Sequence, residues 1–186
     1  MIRFQKDMRL AGLMAGLTLV ALSQPASAKP VVVTVDAHCG PWSQKANPTL
    51  KYGLGDEAEP TVVPIPPDSA SEKLEVWPTG TTTASAGAVD GIGLKTKEAD
   101  DSPGPHGKHY PSFYTPKILY PAYAHALIGT FVDASGGVVS RPFVIGAGVR
   151  VQIPDGATGL ALGFNDESFA ANSGQLQVTV NIVNPQ

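Results

Sequence analysis

The sequence predicts an all-β fold, a jelly-roll-like β-sandwich of antiparallel sheets. Apolar and polar residues alternate in short runs, turn residues separate these runs, and helical periodicity is almost absent after residue 28. The chain has 20 glycines and 17 prolines, which suffices to end each run in a turn. Because no helical crossover separates the runs, a parallel α/β sheet is excluded.

The clearest strand lies at the end of the chain, where apolar residues occupy every second position from Leu176 to Ile182. This alternation is typical of a strand with one buried and one wet face. Further strands are predicted at residues 31–35, 61–65, 74–77, 127–132, 141–145, 149–153 and 160–164. We expect a core of Leu127, Phe131, Val151, Leu160, Leu162, Phe164, Leu176, Val178 and Val180.

Two stretches, residues 40–60 and 84–121, are predicted to be long irregular loop segments. They are rich in turn residues and carry aromatic side chains, among them Trp42 and Tyr52. Loops of such length in a small domain are usually functional or mobile. Their aromatic rings could stack on the apolar face of a sugar, or they could plug the ends of the sandwich.

The first 28 residues have the pattern of a cleavable secretory signal. Basic residues come first, the apolar run from Leu10 to Leu22 follows, and Ala26-Ser27-Ala28 is a small-x-small cleavage site. The apolar run is shorter than the roughly 20 residues that a membrane-spanning helix needs, which disfavours a retained anchor. We therefore expect an exported protein, periplasmic or extracellular, with one domain over 29–186 and no transmembrane segment after cleavage.

The formal net charge is −3 and includes the basic residues of the signal. An acidic exported domain has no electrostatic footprint for nucleic acid or for an anionic membrane. Cys39 is the only cysteine, so no disulfide forms within the chain. It could react or pair between chains in a homo-oligomer, or it could be a small side chain buried near a strand end.

Oxygen-bearing side chains gather in the segment from Gly163 to Gly174, GFNDESFAANSG, between two predicted strands. Asp166, Glu167 and Asn172 are hard ligands of the kind that calcium prefers, and backbone carbonyls could complete a shell of six to eight oxygens. The spacing is not that of an EF-hand loop. The alternative is an ordinary polar loop whose side chains cap backbone groups.

A resemblance to a known family covers about residues 124–182. The pieces that carry it are Ala124 to Gly129, Val151 to Pro154, Leu160 to Phe164, the Asn165-Asp166 pair, and Asn172-Ser173-Gly174 with the closing strand. In this order they resemble the galactophilic, calcium-dependent bacterial lectins of the LecA-like family. The resemblance implies a galactose-binding-like sandwich that recognises a galactose-type glycan through one calcium ion.

The resemblance also implies a set of site residues. Asp166 matches the acidic ligand of calcium and sugar, Asn172 matches the asparagine before Ser-Gly, and the carbonyls of Phe169 or Ala170 match the ligand within the loop. Asp166, Glu167 and Asn172 are then expected to contact sugar, with a loop histidine for which His106 is the candidate.

Two departures weaken the expected calcium site. Ala171 stands where the family has Asn or Asp, and the loop between Asp166 and Asn172 is shorter. One side-chain oxygen fewer lowers the affinity for calcium. Glu167 could replace the missing oxygen.

Signatures of catalysis are missing from the sequence. There is no Gly-x-Ser-x-Gly elbow, His-Glu-x-x-His motif or phosphate loop, which predicts that the protein is not an enzyme. His106 and His109 have a spacing seen at zinc sites, but no Cys or carboxylate stands at a matching distance. The predicted function is calcium-assisted binding of galactose-type sugars. The alternatives are an interaction β-sandwich that has lost the ion and, more distantly, a glycosidase with paired carboxylates.

Overall fold

In a computed structural model, residues 29–84, 87–99, 103–114 and 122–183 are described, and the predicted signal, residues 1–28, lies outside them. Their regular structure consists of strands and two short 3₁₀ turns. The strands are β1 Val31–Asp36, β2 Thr61–Pro64, β3 Lys73–Thr79, β4 Thr82–Ala84, β5 Gly87–Val89, β6 Leu94–Glu98, β7 Tyr123–Ala124, β8 Leu127–Val132, β9 Phe143–Val144, β10 Val149–Gln152, β11 Gly159–Phe164 and β12 Ser173–Val183. Across these ranges no helix is long and apolar enough to cross a membrane.

The strands form two packed sheets and one separate pair. The larger sheet has the order β10-β3-β12-β4-β5, and β1 also pairs with β12. The smaller sheet has the order β2-β11-β8-β9, and β6 pairs with β7. All strand pairings are antiparallel, so the prediction of an all-β antiparallel sandwich is confirmed.

The core lies between the two sheets, and the alternating residues predicted it well. Eight of the nine predicted core residues are buried. Val151 is only half-buried, because β10 is an edge strand of the larger sheet and its side chains have neighbours on one side only. Cys39 is buried too, as one of its two interpretations predicted.

The segment 84–121 contains more regular structure than predicted, and this corrects its interpretation as irregular loop. It includes β5 and β6, which pair with β4 and β7. Neither strand has a run of alternating aliphatic residues, because each is short and packs on a minor part of the structure rather than on the main core. Conversely, the strand predicted at 141–145 is only the two-residue β9.

Strand β11 is buried on both faces, and this positions the loops around its end. Gly163 packs directly against the backbone of Gly40, so closely that a β-carbon at Gly163 would collide with the Gly40 carbonyl. The amide of Phe164 donates to the carbonyl of Cys39 at 2.9 Å. Segment 40–60 is thereby fixed beside the loop that follows β11.

Candidate functional site

The loop 165–172, between β11 and β12, is anchored at its start by Asn165. This fully buried side chain donates from Nδ2 to Ser112 Oγ and to the Tyr123 carbonyl, both at 3.0 Å. Its Oδ1 accepts from the Ser112 amide at 2.9 Å. Because a buried polar group must be paired, Asn165 ties the loop to the 3₁₀ turn at Pro111–Phe113 and to β7.

Asp56 anchors the middle of the same loop. Its Oδ2 accepts from Ser168 Oγ at 3.2 Å, from the Phe169 amide at 3.1 Å and from the Ala170 amide at 3.0 Å. The Phe169 ring is buried against Tyr52, with ring centroids 6.3 Å apart. A single carboxylate on segment 40–60 therefore fixes the backbone where sequence reasoning expected calcium-binding carbonyls.

Asp166 lies at the centre of a hydrogen-bond network. Its Oδ1 accepts from the Glu167 amide at 2.8 Å, and its Oδ2 lies 3.0 Å from His125 Nδ1 and 3.2 Å from Asn172 Nδ2. On the far side of the ring, His125 Nε2 lies 3.0 Å from Thr82 Oγ1. Since a carboxylate only accepts, Nδ1 is the donor in the contact between His125 and Asp166.

The hydroxyl, imidazole and carboxylate are connected like the nucleophile, base and acid of a catalytic triad. Their burial, however, argues against catalysis. Thr82 is 1% exposed and His125 is 0% exposed, so no substrate reaches the hydroxyl in this arrangement. His125 also stacks on Phe164 at 4.5 Å and has a positive φ of 59°. These hydrogen bonds instead hold β4, the turn before β8 and the loop 165–172 together.

Glu167 connects this loop to segment 104–108. Its side chain is 2% exposed. Its Oε1 accepts from the His106 amide at 3.1 Å and lies 3.2 Å from His106 Nδ1, and its Oε2 accepts from the Lys108 amide at 3.3 Å. The carboxylate passes so close to Gly104 that a β-carbon there would overlap it.

These contacts form a small cavity of about 80 Å³, which we call the loop pocket. Its lining includes all four residues predicted to contact sugar, Asp166, Glu167, Asn172 and His106. Lys97 and Tyr110, which sequence reasoning did not select, also line it, and Lys97 Nζ lies 5.1 Å from the centroid of the Tyr110 ring. Burial raises the pKa of Tyr110, and the hydrogen bond from Lys97 opposes this shift.

Of the four residues predicted to hold calcium, two line the loop pocket and two do not. Asp166 and Asn172 line the loop pocket, while Phe169 is buried in the core and Ala170 is exposed. The Phe169 carbonyl accepts from the Asn172 amide at 3.0 Å. One of the carbonyls expected to bind calcium therefore already accepts a hydrogen bond within the loop.

The oxygens of the loop pocket suit calcium in kind but not in their present orientation. Both oxygens of Asp166 accept hydrogen bonds, and Asn172 turns its amide nitrogen, not its oxygen, toward Asp166 and the Ala37 carbonyl. Within the described ranges, no three His, Cys, Asp or Glu side chains form a group that could hold a metal ion. An ion at this position would have to replace hydrogen bonds, and the calcium site stays a prediction from the resemblance.

Three of the aromatic residues in the predicted loop segments are buried and act as plugs rather than as exposed platforms. Trp42 and Tyr52 are buried, with ring centroids 5.0 Å apart and planes at 83°. Tyr110 is buried as well, whereas Phe113 is exposed and stacks on His109 at 3.7 Å.

Comparisons with known proteins give a likeness of shape. No family model matches the sequence, and no curated protein matches it. A solved structure described as "EclA N-terminal domain; PllA-like lectin" is similar over 81% of this chain and 94% of that chain, with 13% identity and a TM-score of 0.42. So low a TM-score describes a partial likeness, from which nothing follows about a ligand of this chain.

Proposed function

We propose that the protein is a non-catalytic carbohydrate-binding domain that acts outside the cytoplasm and binds sugar at the loop pocket. The observation that carries the proposal is the convergence of Asp166, Glu167, Asn172 and His106 on one cavity. They come from two segments about 60 residues apart in sequence, at 105–110 and 165–172. Carboxylates, an amide and an imidazole together accept and donate the hydrogen bonds that sugar hydroxyls require.

The size of the loop pocket determines how a sugar enters. A volume of about 80 Å³ corresponds to two or three water molecules at about 30 Å³ each. One edge of a pyranose, with two neighbouring hydroxyls, fits this space, and the ring itself stays outside. Hydroxyls displace water from the pocket and take over its hydrogen bonds, so specificity comes from the direction of those hydroxyls.

The finer form of the proposal is a galactose-type sugar recognised with the help of calcium. Asp166 and Asn172 would hold the ion, and its divalent charge would attract the sugar hydroxyls. Support comes from the sequence resemblance over 124–182 and from the oxygen-rich lining of the loop pocket. Asp166 would have to exchange the hydrogen bonds that it accepts now.

A second candidate function, an interaction domain, is favoured by one observation. Val31, Val32 and Val62, on the neighbouring strands β1 and β2, are all about half exposed or more. Val31 and Val32 follow one another on β1, so their side chains point to opposite faces. Each of the three valines offers exposed apolar surface of the kind that a protein partner covers.

A glycan array, followed by calorimetry with the best ligand, tests the proposal. The wild type should bind galactose-terminated glycans, and Asp166→Asn should weaken this binding at least about tenfold, because it removes a charged acceptor from the pocket. Asp155→Asn, an exposed carboxylate in the turn before β11, is the matched control and should bind like the wild type. If the wild type binds no glycan with or without calcium, the proposal is wrong and the interaction domain remains.

The same samples test calcium separately. Calcium in hundredfold excess over its Kd should stabilise the fold by about 2.7 kcal/mol, which raises Tm, and chelator should reverse the shift. Ala171→Asn, which restores the missing oxygen, should enlarge it. Sugar binding that is unaffected by chelator would contradict the calcium part alone.

A further inference from the structure

A second cavity, larger than the loop pocket, is lined by residues from 44–57 and 107–109. Its volume is about 740 Å³. We call it the lysine cleft, because Lys45, Lys51 and Lys108 all line it. The segments that build it belong to the two stretches singled out in the sequence as long loops, and the loop pocket uses only part of them.

The charge of the lysine cleft is opposite to that of the protein. The chain carries a net charge of −3, yet three exposed lysines line this cleft. No carboxylate of the described residues forms an ion pair with any of them. A cleft lined by one sign of charge concentrates the field and attracts ions of the other sign.

Glu57 is the only acid among the described residues that line the lysine cleft. Burial raises the pKa of its carboxyl group, and its Oε2 is buried without a hydrogen-bond partner. Even a fully ionised Glu57 balances only one of the three lysines, so the lining keeps an excess of positive charge.

The lysine cleft and the loop pocket share one wall, residues 105–109. Pro105 and His106 line the pocket, and Gly107, Lys108 and His109 line the cleft. Both sides of this wall are fixed by hydrogen bonds. Glu167 accepts from the backbone on the pocket side, and the Gly53 amide donates to the His109 carbonyl at 2.8 Å on the cleft side. The pocket and the cleft are therefore separated by one short segment of chain.

Apolar side chains also lie in or next to the lysine cleft. The His109 ring lies parallel to the Phe113 ring, at 3.7 Å and 8°, next to the cleft. Leu54, also in the lining, is 46% exposed. Alternating C–H faces and polar groups of an oligosaccharide match such a mixture of aromatic, aliphatic and cationic groups.

We propose that the natural ligand is an acidic oligosaccharide, whose neutral sugar occupies the loop pocket and whose anionic group, a carboxylate or a sulfate ester on the next residues, lies among Lys45, Lys51 and Lys108. This inference rests on the proposed function and names the class of its ligand. It also gives the long loops a role, because they carry the three lysines to the edge of the pocket.

Calorimetry with three probes tests this assignment: a galactose-terminated oligosaccharide, its counterpart with galacturonate in place of the inner sugars, and inorganic phosphate. At low salt the acidic probe should bind about tenfold more tightly than the neutral one, since each exposed charge pair contributes up to about a factor of five. The advantage should shrink in 0.5 M salt, because salt screens exposed charges. Phosphate alone should bind far more weakly than the acidic probe.

Two triple variants separate the cleft from the overall charge. Lys45→Gln, Lys51→Gln and Lys108→Gln together should bind the acidic probe no better than the neutral one. Lys29→Gln, Lys73→Gln and Lys95→Gln, which lie outside the cleft lining and change the net charge equally, should keep the preference. Equal binding of the acidic and neutral probes to the wild type would overturn the inference and leave the proposed function intact. Equal losses in both variants, or phosphate binding as tightly as the acidic probe, would also overturn it.

Discussion

Gly163→Ala should lower the free energy of unfolding by about 3 kcal/mol, at the upper end of what overpacking usually costs. The new methyl group would collide with the backbone of Gly40, whereas a flexible side chain could turn away. Gly40 cannot move freely, because its amide donates to the Ala58 carbonyl at 3.0 Å and the preceding carbonyl of Cys39 accepts from Phe164. Urea denaturation of purified wild type and variant measures the change.

Gly159→Ala is the matched control for this substitution. It lies on the same strand, and its new methyl group would meet the Val62 side chain at 2.9 Å rather than a backbone atom. Val62 is exposed and can change rotamer, so we expect a loss of no more than about 1 kcal/mol. If the two variants lose equal stability, the close approach of β11 to segment 40–60 does not hold the loops in place.

His125→Ala should lower the free energy of unfolding by about 3 to 5 kcal/mol, in the range for a broken buried network. The change removes the bridge between Thr82 and Asp166, and it leaves a cavity against Phe164. Buried Thr82 would lose its partner, which costs roughly 1 to 3 kcal/mol by itself. Glycan binding should weaken as well, because Asp166 loses a donor that orients it.

His125→Asn distinguishes the contribution of the backbone conformation at residue 125 from the contribution of the imidazole side chain. Asparagine tolerates the positive φ of 59° at this position, but it is too short to bridge Thr82 and Asp166. We expect it to retain part of the stability that alanine loses. If the free energies of unfolding of both variants lie within about 1 kcal/mol of the wild type, the buried hydrogen bonds of His125 do not support the loop.

The strands that carry the main core could be predicted because their local pattern matches their environment. The large apolar residues that β11 and β12 carry at every second position lie in the core between the sheets, as do Leu127 and Phe131 of β8. Val151 has the same pattern but lies on an edge strand, and edge position depends on pairing far along the chain. β5 and β6 were missed because tertiary pairing, rather than their own residues, makes them strands.

Some residues of the candidate site could be predicted from the sequence, and others could not. Asp166 and Asn172 could be selected because they lie in one short string of oxygen-bearing residues. Asp56, Lys97 and the three lysines of the cleft could not, because each lies in another part of the sequence and only the fold brings them to the site. His106 was selected from a loose resemblance, and its contact with Glu167 joins residues 61 positions apart.

The most direct test of sugar binding at the loop pocket is an NMR titration of the ¹⁵N-labelled protein with a galactose-terminated oligosaccharide, with calcium present. Saturable shifts should appear in the amides of 104–110 and 166–172, whose backbones line or support the pocket. Amides of β1 and β2 around Val32 and Val62 should stay unchanged. Shifts confined to β1 and β2, or none at millimolar sugar, would contradict carbohydrate binding at this site.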